Sequence, residues 1–297
     1  MENFYYNKNN SDIYYIYISE LLKKILNNNN NIVKNIYLLD ENFKYINIDN
    51  SNNIIIRINY EHTLVKKGGR SCSYETPEGI IKDKNNNNYL VRINEYNELN
   101  NSNIIIDYSI PNIYNVKNSN IFNEFSEKHT YIYPSIIENI YFNKENRNII
   151  SLTTFINIEE PRRKTLLENI KKTNINHINI NNCFTKDGLN FLYKNTKILI
   201  NIHQTDHHDT FEELRVLPAL QCGVIIISEY SPLSELVPYN DYIIWCSYDD
   251  IIKKTIDVIN KYDYYHNMIF KKEKNKRLEE FDNENYNNLL KKIKKQF

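Results

Sequence analysis

"INIHQTDHHDTFEELRVLPALQCGVIIISE", residues 200–229, decides the fold of the C-terminal half of this chain. An apolar run ends at His203. A loop of polar, His and Asp residues follows, then an amphipathic stretch closed by Cys222-Gly223, then a second apolar run. The pattern is strand, loop, helix, strand. Leu214, Leu217 and Leu220 fall about one turn apart and make one apolar helix face. Thr210 and Glu213 have capping-box spacing, which places the helix start at Thr210. Gly223 is the expected left-handed stop. Pro218 lies in the helix interior, where it removes a hydrogen bond and predicts a kink costing about 3 kcal/mol. "VIIIS" (224–228) is continuously apolar, as in a strand buried on both faces.

The same alternation extends in both directions. "NIISLTTF" (148–155), "INHINI" (175–180), "KILINIH" (197–203) and "DYIIWC" (241–246) read as strands. "EEPRRKTLLENIKK" (159–172), "TKDGLNFLYKNT" (185–196), "TFEELRVLPALQC" (210–222), "SPLSELV" (231–237) and "YDDIIKKTIDVINKY" (248–262) read as helices. Strands alternating with helices through short loops predict a parallel sheet covered on both faces, a Rossmann-like domain. In the N-terminal half "SDIYYIYISELLKKIL" (11–26) reads as a helix capped by Ser11 or Asp12. "NIYLLD", "YINID", "NIIIRINY", "YLVRI", "NIIIDYS" and "TYIYP" read as strands. The Asn runs at 27–31 and 85–88 read as solvated loops. The boundary is placed near residue 145, in "YFNKENRN". The expected fold class is α/β with two Rossmann-like domains. The first (1–145) is reduced or partly antiparallel, the second spans 146–263, and a charged helical tail (264–297) either crosses back to the first domain or ends in solvent.

Composition narrows the functional classes. The 297 residues suffice for two small domains. Lys and Arg number 37 against 37 Asp and Glu, so no general pull toward nucleic acid or an anionic membrane is expected. The four Cys are far apart and lack CxxC spacing, which fits a reduced intracellular protein. The N-terminus lacks a basic segment followed by an apolar one, and no apolar run is long enough for a membrane span. A cytoplasmic protein is expected, in the host cytoplasm if the source is viral. Abundant Asn, Ile, Lys and Tyr match the codon bias of an AT-rich genome, such as that of a large DNA virus, a protist or a bacterium.

The loop before the central helix admits several chemistries. His203, Asp206, His207, His208 and Asp209 are all ligand types, but their spacing matches neither H-x-H-x-D-H nor H-E-x-x-H. A metal-dependent hydrolase is the reading they leave open. The loop also lies at the C-terminal end of a strand, where open α/β sheets bind ligands. The helix behind it offers unpaired amides to a phosphate. Solvated loop histidines are the plain alternative.

"INIHQ…TFEELRVLPALQCGVIIISEYSPLSELVP" resembles the donor-binding segment of GT-B-fold glycosyltransferases, of the group-one and CgeB-like branches. "PALQCGVIIISEYSPLSE" stands where those enzymes carry a small-residue and Gly turn, an apolar strand and a Glu, here Glu235. The resemblance covers residues 148–262. It implies a metal-independent hexosyltransferase, with no cofactor besides a UDP- or GDP-sugar substrate. The partners it implies are that nucleotide-sugar and a glycan or glycoprotein acceptor. Arg162, Arg163 and Lys164 then sit near the family's Arg and Lys pair on the diphosphate. His203, His207, His208, Thr210, Glu212, Glu213 and Arg215 face the nucleotide-sugar. The loop Glu229–Leu233, with Ser231, offers backbone amides to its phosphates. The family's second Glu falls on Pro218, so either Glu212 or Glu213 replaces it or the donor is held differently. Lost catalysis, leaving a binding module, is the corresponding rival.

The resemblance assigns the acceptor to the N-terminal domain. There "INYEHTLVKKGGRSCS" (58–73) ends a strand in Glu61-His62 and continues into a basic loop of Lys67, Gly68, Gly69 and Arg70. Two of the chain's five Gly occur in that loop, a backbone requirement or a plain hairpin turn. Glu61, His62 and Asp107 are the candidate general bases for an acceptor hydroxyl. For His62 a structural strand-end role, and for Asp107 a cap of the turn at Pro111, are the alternatives.

Overall fold

The computed structural model describes residues 3–29, 32, 34–43, 52–60, 64–66, 78–82, 88–93, 95–119, 121–183, 185–206 and 210–297. The chain forms two compact units, Met1–Tyr133 with Asp282–Phe297, and Pro134–Phe281. The stretch "YFNKENRN" thus lies inside the second unit. The strand expected at "YINID" lies outside the described residues.

The first unit contains β1 (Phe4–Tyr6), α1 (Ile13–Asn28), β2 (Asn35–Leu38), β3 (Asn53–Asn59), β4 (Leu64–Lys66), β5 (Glu78–Lys82), β6 (Asn88–Arg92), α2 (Tyr96–Asn100), β7 (Ile104–Asp107), α3 (Ile110–Asn118), α4 (Asn123–Ser126) and β8 (His129–Tyr131). Five strands form a parallel sheet in the order β1-β2-β3-β7-β8. Antiparallel pairing is confined to the separate sheet β4-β6-β5. The main sheet is therefore a full five-stranded one. Ile54, Ile56 and Ile104–Ile106 supply the near-continuous apolar runs that a two-sided parallel sheet requires. Asp12 caps α1 by accepting from the Tyr15 amide at 2.7 Å.

Tyrosine takes much of the place of leucine in this core. Tyr14 and Tyr15 are buried, and their hydroxyls donate to the carbonyls of Ile132 (2.7 Å) and Leu38 (2.8 Å). Each ring buries apolar area while its hydroxyl satisfies a strand-end carbonyl. The final segment joins this unit through Asn285. Its amide oxygen accepts from the Tyr133 amide at 2.8 Å, and its Nδ2 donates to the Tyr133 carbonyl at 2.9 Å. One side chain thereby stands in for a neighbouring strand.

The second unit contains β9 (Ile149–Thr153), α5 (Pro161–Lys171), β10 (His177–Asn179), α6 (Lys186–Lys194), β11 (Thr196–Asn201), α7 (Glu213–Gln221), β12 (Ile225–Glu229), β13 (Ile243–Cys246), α8 (Ile251–Asn260) and α9 (Tyr262–Ile269). α10 (Lys272–Lys294) follows, and from Asp282 onward it belongs to the first unit. The sheet order is β10-β9-β11-β12-β13, all parallel. Chain direction across the sheet reverses between β9 and β11, so the crevice of such a fold lies at their C-terminal ends.

Local expectations around α7 need correction. The Thr210–Glu213 capping box does not form: the helix starts at Glu213, and its N-cap Glu212 makes no side-chain cap bond. Two burials pull the chain elsewhere. Phe211 packs on Trp245 at 4.9 Å, and Glu213 turns inward to accept from the Tyr239 hydroxyl at 2.8 Å. The helix runs through Pro218, which is buried among Val216, Leu217, Ala219 and Leu220. "SPLSELV" contributes only a one-turn 3-10 helix, Ser234–Leu236.

Arg147 ties the opposite edge together. Its guanidinium donates to the carbonyls of Asn143 (2.9 and 2.6 Å), Tyr193 (3.1 Å), Thr196 (2.6 Å) and Cys222 (2.6 Å). All five N–H groups are used. Two of the acceptors lie at the C-terminal ends of α6 and α7, where carbonyls lack helical partners and the dipole is negative. Gly223 fits here for two reasons. Its φ is 69°, and an added Cβ would stand 2.8 Å from Arg147 Nη2 and 2.9 Å from the Tyr141 carbonyl oxygen.

Arg147→Met leaves these carbonyls without a donor and is expected to lower stability by about 3 kcal/mol or more. Arg147→Lys should recover little, because an ammonium has three donors for four carbonyls. Urea unfolding checks this; full recovery by Lys would contradict the hub role. Buried His266 packs on Phe270 (4.7 Å) and Tyr262 (5.6 Å). Burial, aided by the charges of Arg147 and Lys144, pushes its pKa down to about 4 from the usual 6.5. The unfolded chain thus takes up this proton first, so stability present above pH 6.5 is lost as pH falls toward 4. The His266→Phe chain should show a smaller drop in melting temperature between pH 7 and pH 5 than the parent.

Candidate functional site

The C-terminal ends of β9 and β11, where a sheet of this order has its crevice, lead into the first turns of the two helices that follow those strands. Arg162 and Arg163 are the second and third residues of α5, and Arg215 is the third residue of α7. The sequence places three basic residues in a row at 162–164; the fold gives each a different environment.

Arg162 is committed to a clamp. Its Nη1 and Nη2 donate to the two Glu229 oxygens at 3.0 and 2.5 Å, and its Nε meets Asp206 at 2.7 Å. Its guanidinium lies 4.4 Å from the Tyr248 ring centre, and the Tyr248 hydroxyl donates to the Arg162 carbonyl at 2.7 Å. Glu229 also accepts from the His203 amide at 3.1 Å, and His203 Nε2 lies 2.8 Å from Ser231 Oγ. Burial alone would lower the Arg162 pKa, but Glu229 and Asp206 hold it above the usual value. The clamp joins the ends of β11 and β12 to α5.

Arg163 is different. It is only 6% exposed, its ring-stacking partner is Phe155 at 4.9 Å, and its Nε has no hydrogen-bond partner. Burial, then the like charge of Arg215, pushes its pKa down to about 10, with Glu212 and Glu160 acting in the opposite direction. An arginine so shifted is electrostatically under-compensated. Arg215 is steadied by Asn201, whose Oδ1 accepts from its Nη1 at 2.8 Å; Asn201 Nδ2 in turn donates to Ser228 Oγ at 3.0 Å. Lys164 points to solvent and pairs with Glu159 at 3.0 Å.

The other expected site residues divide three ways. Arg162, Arg163, His203, Glu212, Arg215, Glu229 and Ser231 belong to the crevice end of the second unit. Thr210 is half-buried just before α7. Leu233 has a left-handed backbone, φ 61°, a strain of about 1–3 kcal/mol held by its loop. Glu213 faces the interior and Tyr239, so its carboxylate is a structural acceptor. In the first unit Asp107 is fully buried and accepts from Asn59 Nδ2 and the Ser109 amide, each at 2.8 Å. Glu61, His62, Lys67, Gly68, Gly69, Arg70, His207 and His208 lie outside the described residues. No group of three or more His, Cys, Asp or Glu suited to a metal occurs among the described residues. No helix among them is long and apolar enough to cross a membrane.

Asn201 and Tyr248 join the site without having been singled out in the sequence, while Asp206, a ligand type in the sequence, serves instead as a carboxylate partner of Arg162. Asn201 and Tyr248 carry no motif, but Asn201 ends a strand at the crevice edge, a position that strand order makes informative.

No family model matches the chain. Three uncharacterized proteins of Acanthamoeba polyphaga mimivirus are similar to it. One is 33% identical over 56% of this chain and 57% of its own length, a second 26% over 54% and 52%, a third 23% over 54% and 19%. The chain thus matches little more than half the length of the first two. A solved structure described as a glycosyltransferase from Rickettsia africae ESF-5 aligns with 97% of this chain and 80% of its own, at 12% identity and a TM-score of 0.38. That degree of likeness decides neither fold nor activity.

Removing Glu229 takes away the buried bidentate partner of Arg162 and leaves it only the solvent-exposed Asp206. Glu229→Ala should cost about 3–5 kcal/mol. Pairing it with Arg162→Met should cost clearly less than the sum of the two single changes. A double-mutant cycle in urea measures this coupling; strict additivity would show that the clamp contributes nothing.

Proposed function

We propose that this chain is a glycosyltransferase that moves a sugar from a nucleotide-sugar donor to a hydroxyl acceptor, with the donor diphosphate bound in the crevice of the second unit. One observation carries the reading. Arg163 is buried with an unused donor, beside Arg215, at the first turns of α5 and α7. Two guanidinium groups and two helix N-termini make a receptor for a polyanion. A diphosphate there relieves the repulsion between Arg163 and Arg215.

Sugar transfer makes a demand that this arrangement suits. As the glycosidic bond to the donor breaks, negative charge builds on the leaving diphosphate. Fixed cations stabilise that charge more than the ground state, without any metal. Asn201 keeps Arg215 oriented, and the Arg162–Glu229 clamp holds the α5 turn that carries Arg163. Glu212, half-exposed at the start of α7 and close enough to act on the Arg163 charge, is an acid at this end of the unit that can accept hydroxyl hydrogens of the donor. His203 and Ser231 are joined at 2.8 Å at the same end of the sheet, beside the loop that carries Leu233.

A non-catalytic binding module is the second reading. It draws on Glu213 and Pro218: the first carboxylate is engaged by Tyr239, and the second position has no carboxylate. Turnover separates the two.

A melting-temperature panel of UDP, GDP and CMP and their sugars, with and without EDTA, is the direct test. One nucleotide class should stabilise the chain regardless of EDTA. Arg215→Ala should weaken that nucleotide at least about tenfold, equivalent to about 1.4 kcal/mol. Release of nucleotide from the sugar conjugate would favour the transferase over the binding module. Absence of stabilisation by every nucleotide would overturn both.

A further inference from the structure

The first sheet ends at β8, an edge strand that pairs only with β7. A cavity of about 390 Å³ lies between β8, α3 and the last turns of α10. Ligand cavities usually run from about 300 Å³ upward. The α10 side brings Lys291, Lys292 and Lys295, and α3 brings the half-buried Ile110 and Ile113. Among the described residues no carboxylate lines this cavity. Lys292 is drawn inward: its ammonium donates to the Glu127 carbonyl, and burial, aided by the charge of Lys295, lowers its pKa. A helix C-terminus favours cations through its dipole, so the lysines alone have a structural account.

His129 has none. It stands in the same wall, is only 8% exposed, and neither of its ring nitrogens makes a hydrogen bond. The neighbouring Phe125 carbonyl is taken by the Lys128 amide at 2.9 Å, and the Phe125 ring centre lies 6.2 Å from the imidazole. Burial pushes the His129 pKa down to about 4; the Phe125 carbonyl opposes this and the Lys292 charge adds to it. The ring is therefore neutral at pH 7, with one N–H to give. A buried donor without an acceptor, in a wall of cations without carboxylates, calls for an anion.

The run of α10 fixes where that anion would lie. Asn285 meets Tyr133, beyond the C-terminal end of β8, and Lys292 meets Glu127, before its N-terminal end, so α10 runs antiparallel to β8. The ammonium groups gather at the N-terminal end of the edge strand. Asp107 ends β7 level with Tyr131, at the opposite end. A ligand here is thus apart from any acceptor hydroxyl served by Asp107. Three ammonium groups and an N–H suit the three oxygens and near-double charge of a phosphate monoester better than a carboxylate. The isoleucine wall and the volume leave room for an organic group, which inorganic phosphate lacks.

We propose that this cavity binds a soluble phosphate monoester, its phosphoryl oxygens held by Lys291, Lys292, Lys295 and the His129 N–H, and its organic group packed on Ile110 and Ile113. The proposal stands on the first unit alone and does not depend on the transferase reading.

Phosphorus NMR on the full chain tests it. Phenyl phosphate is the ester, inorganic phosphate the bare anion, and phosphatidylcholine vesicles with and without phosphatidic acid the lipid source. Phenyl phosphate should bind with a Kd of about 1 mM or below, and more tightly than inorganic phosphate. Lys291→Glu with Lys295→Glu, both at exposed positions, should abolish binding without lowering the melting temperature. The charge-matched pair Lys8→Glu with Lys23→Glu, outside the cavity, should leave it unchanged. His129→Phe should weaken it at least about tenfold. A second readout avoids that buried substitution: the His129 ring-nitrogen signals should move on saturation with the ester. Arg215→Ala should leave ester binding intact, which separates this site from the diphosphate site of the second unit. No binding of the ester would overturn the proposal. So would equal weakening by the two lysine pairs, unmoved His129 signals, inorganic phosphate binding as tightly as the ester, or binding to phosphatidic acid vesicles alone.

Discussion

The Arg147 guanidinium gathers four backbone carbonyls at one edge of the second sheet, and most of what is distinctive in that unit leans on it. Its acceptors come from the 141–148 segment, the end of α6, the start of β11 and the end of α7. These are the points at which a βα unit begins or stops. No carboxylate is involved. The positive charge is held by carbonyls that helix ends leave over, so a single side chain satisfies groups that would otherwise be buried and unpaired. The tight turn at Gly223 exists because nothing larger than hydrogen fits between that guanidinium and the Tyr141 carbonyl.

The opposite edge of the same sheet uses arginine in two further ways. Arg162 is neutralised by Glu229 and Asp206 and serves as a strut. Arg163, its neighbour in sequence, stacks on Phe155 and keeps a donor unspent. A rigid lower edge and a clamped upper edge are what allow one under-compensated cation to persist, since a flexible crevice would let it swing to water. The stability of the unit and its capacity for an anion are thus linked through adjacent residues.

The fold was largely legible along the chain. The apolar runs at 149–153, 197–202 and 224–228 and the amphipathic stretches between them identified strands and helices, because burial on two faces or one imposes period and length. Cap chemistry was less reliable. Thr210 and Glu213 have capping-box spacing, yet Glu213 is drawn to Tyr239, since a buried hydroxyl partner outweighs one amide bond at a frayed helix start. "YFNKENRN" read as a linker because it is polar, and its one decisive residue, Arg147, looks like any surface arginine until the carbonyls around it are known.

Sequence alone determined the α/β character of both halves, the place of the crevice loop after a strand, and the left-handed stop at Gly223. Each rests on local pattern: periodicity, residue type and φ preference act within a few residues. Only the tertiary structure decided the strand order β10-β9-β11-β12-β13, and with it which strand ends face a crevice. It alone separated Arg162, Arg163 and Lys164 into strut, open cation and solvated ion pair. A side chain's charge balance is set by groups far away in sequence, such as Glu229 and Arg215, and these reach it only after the sheet has chosen its order.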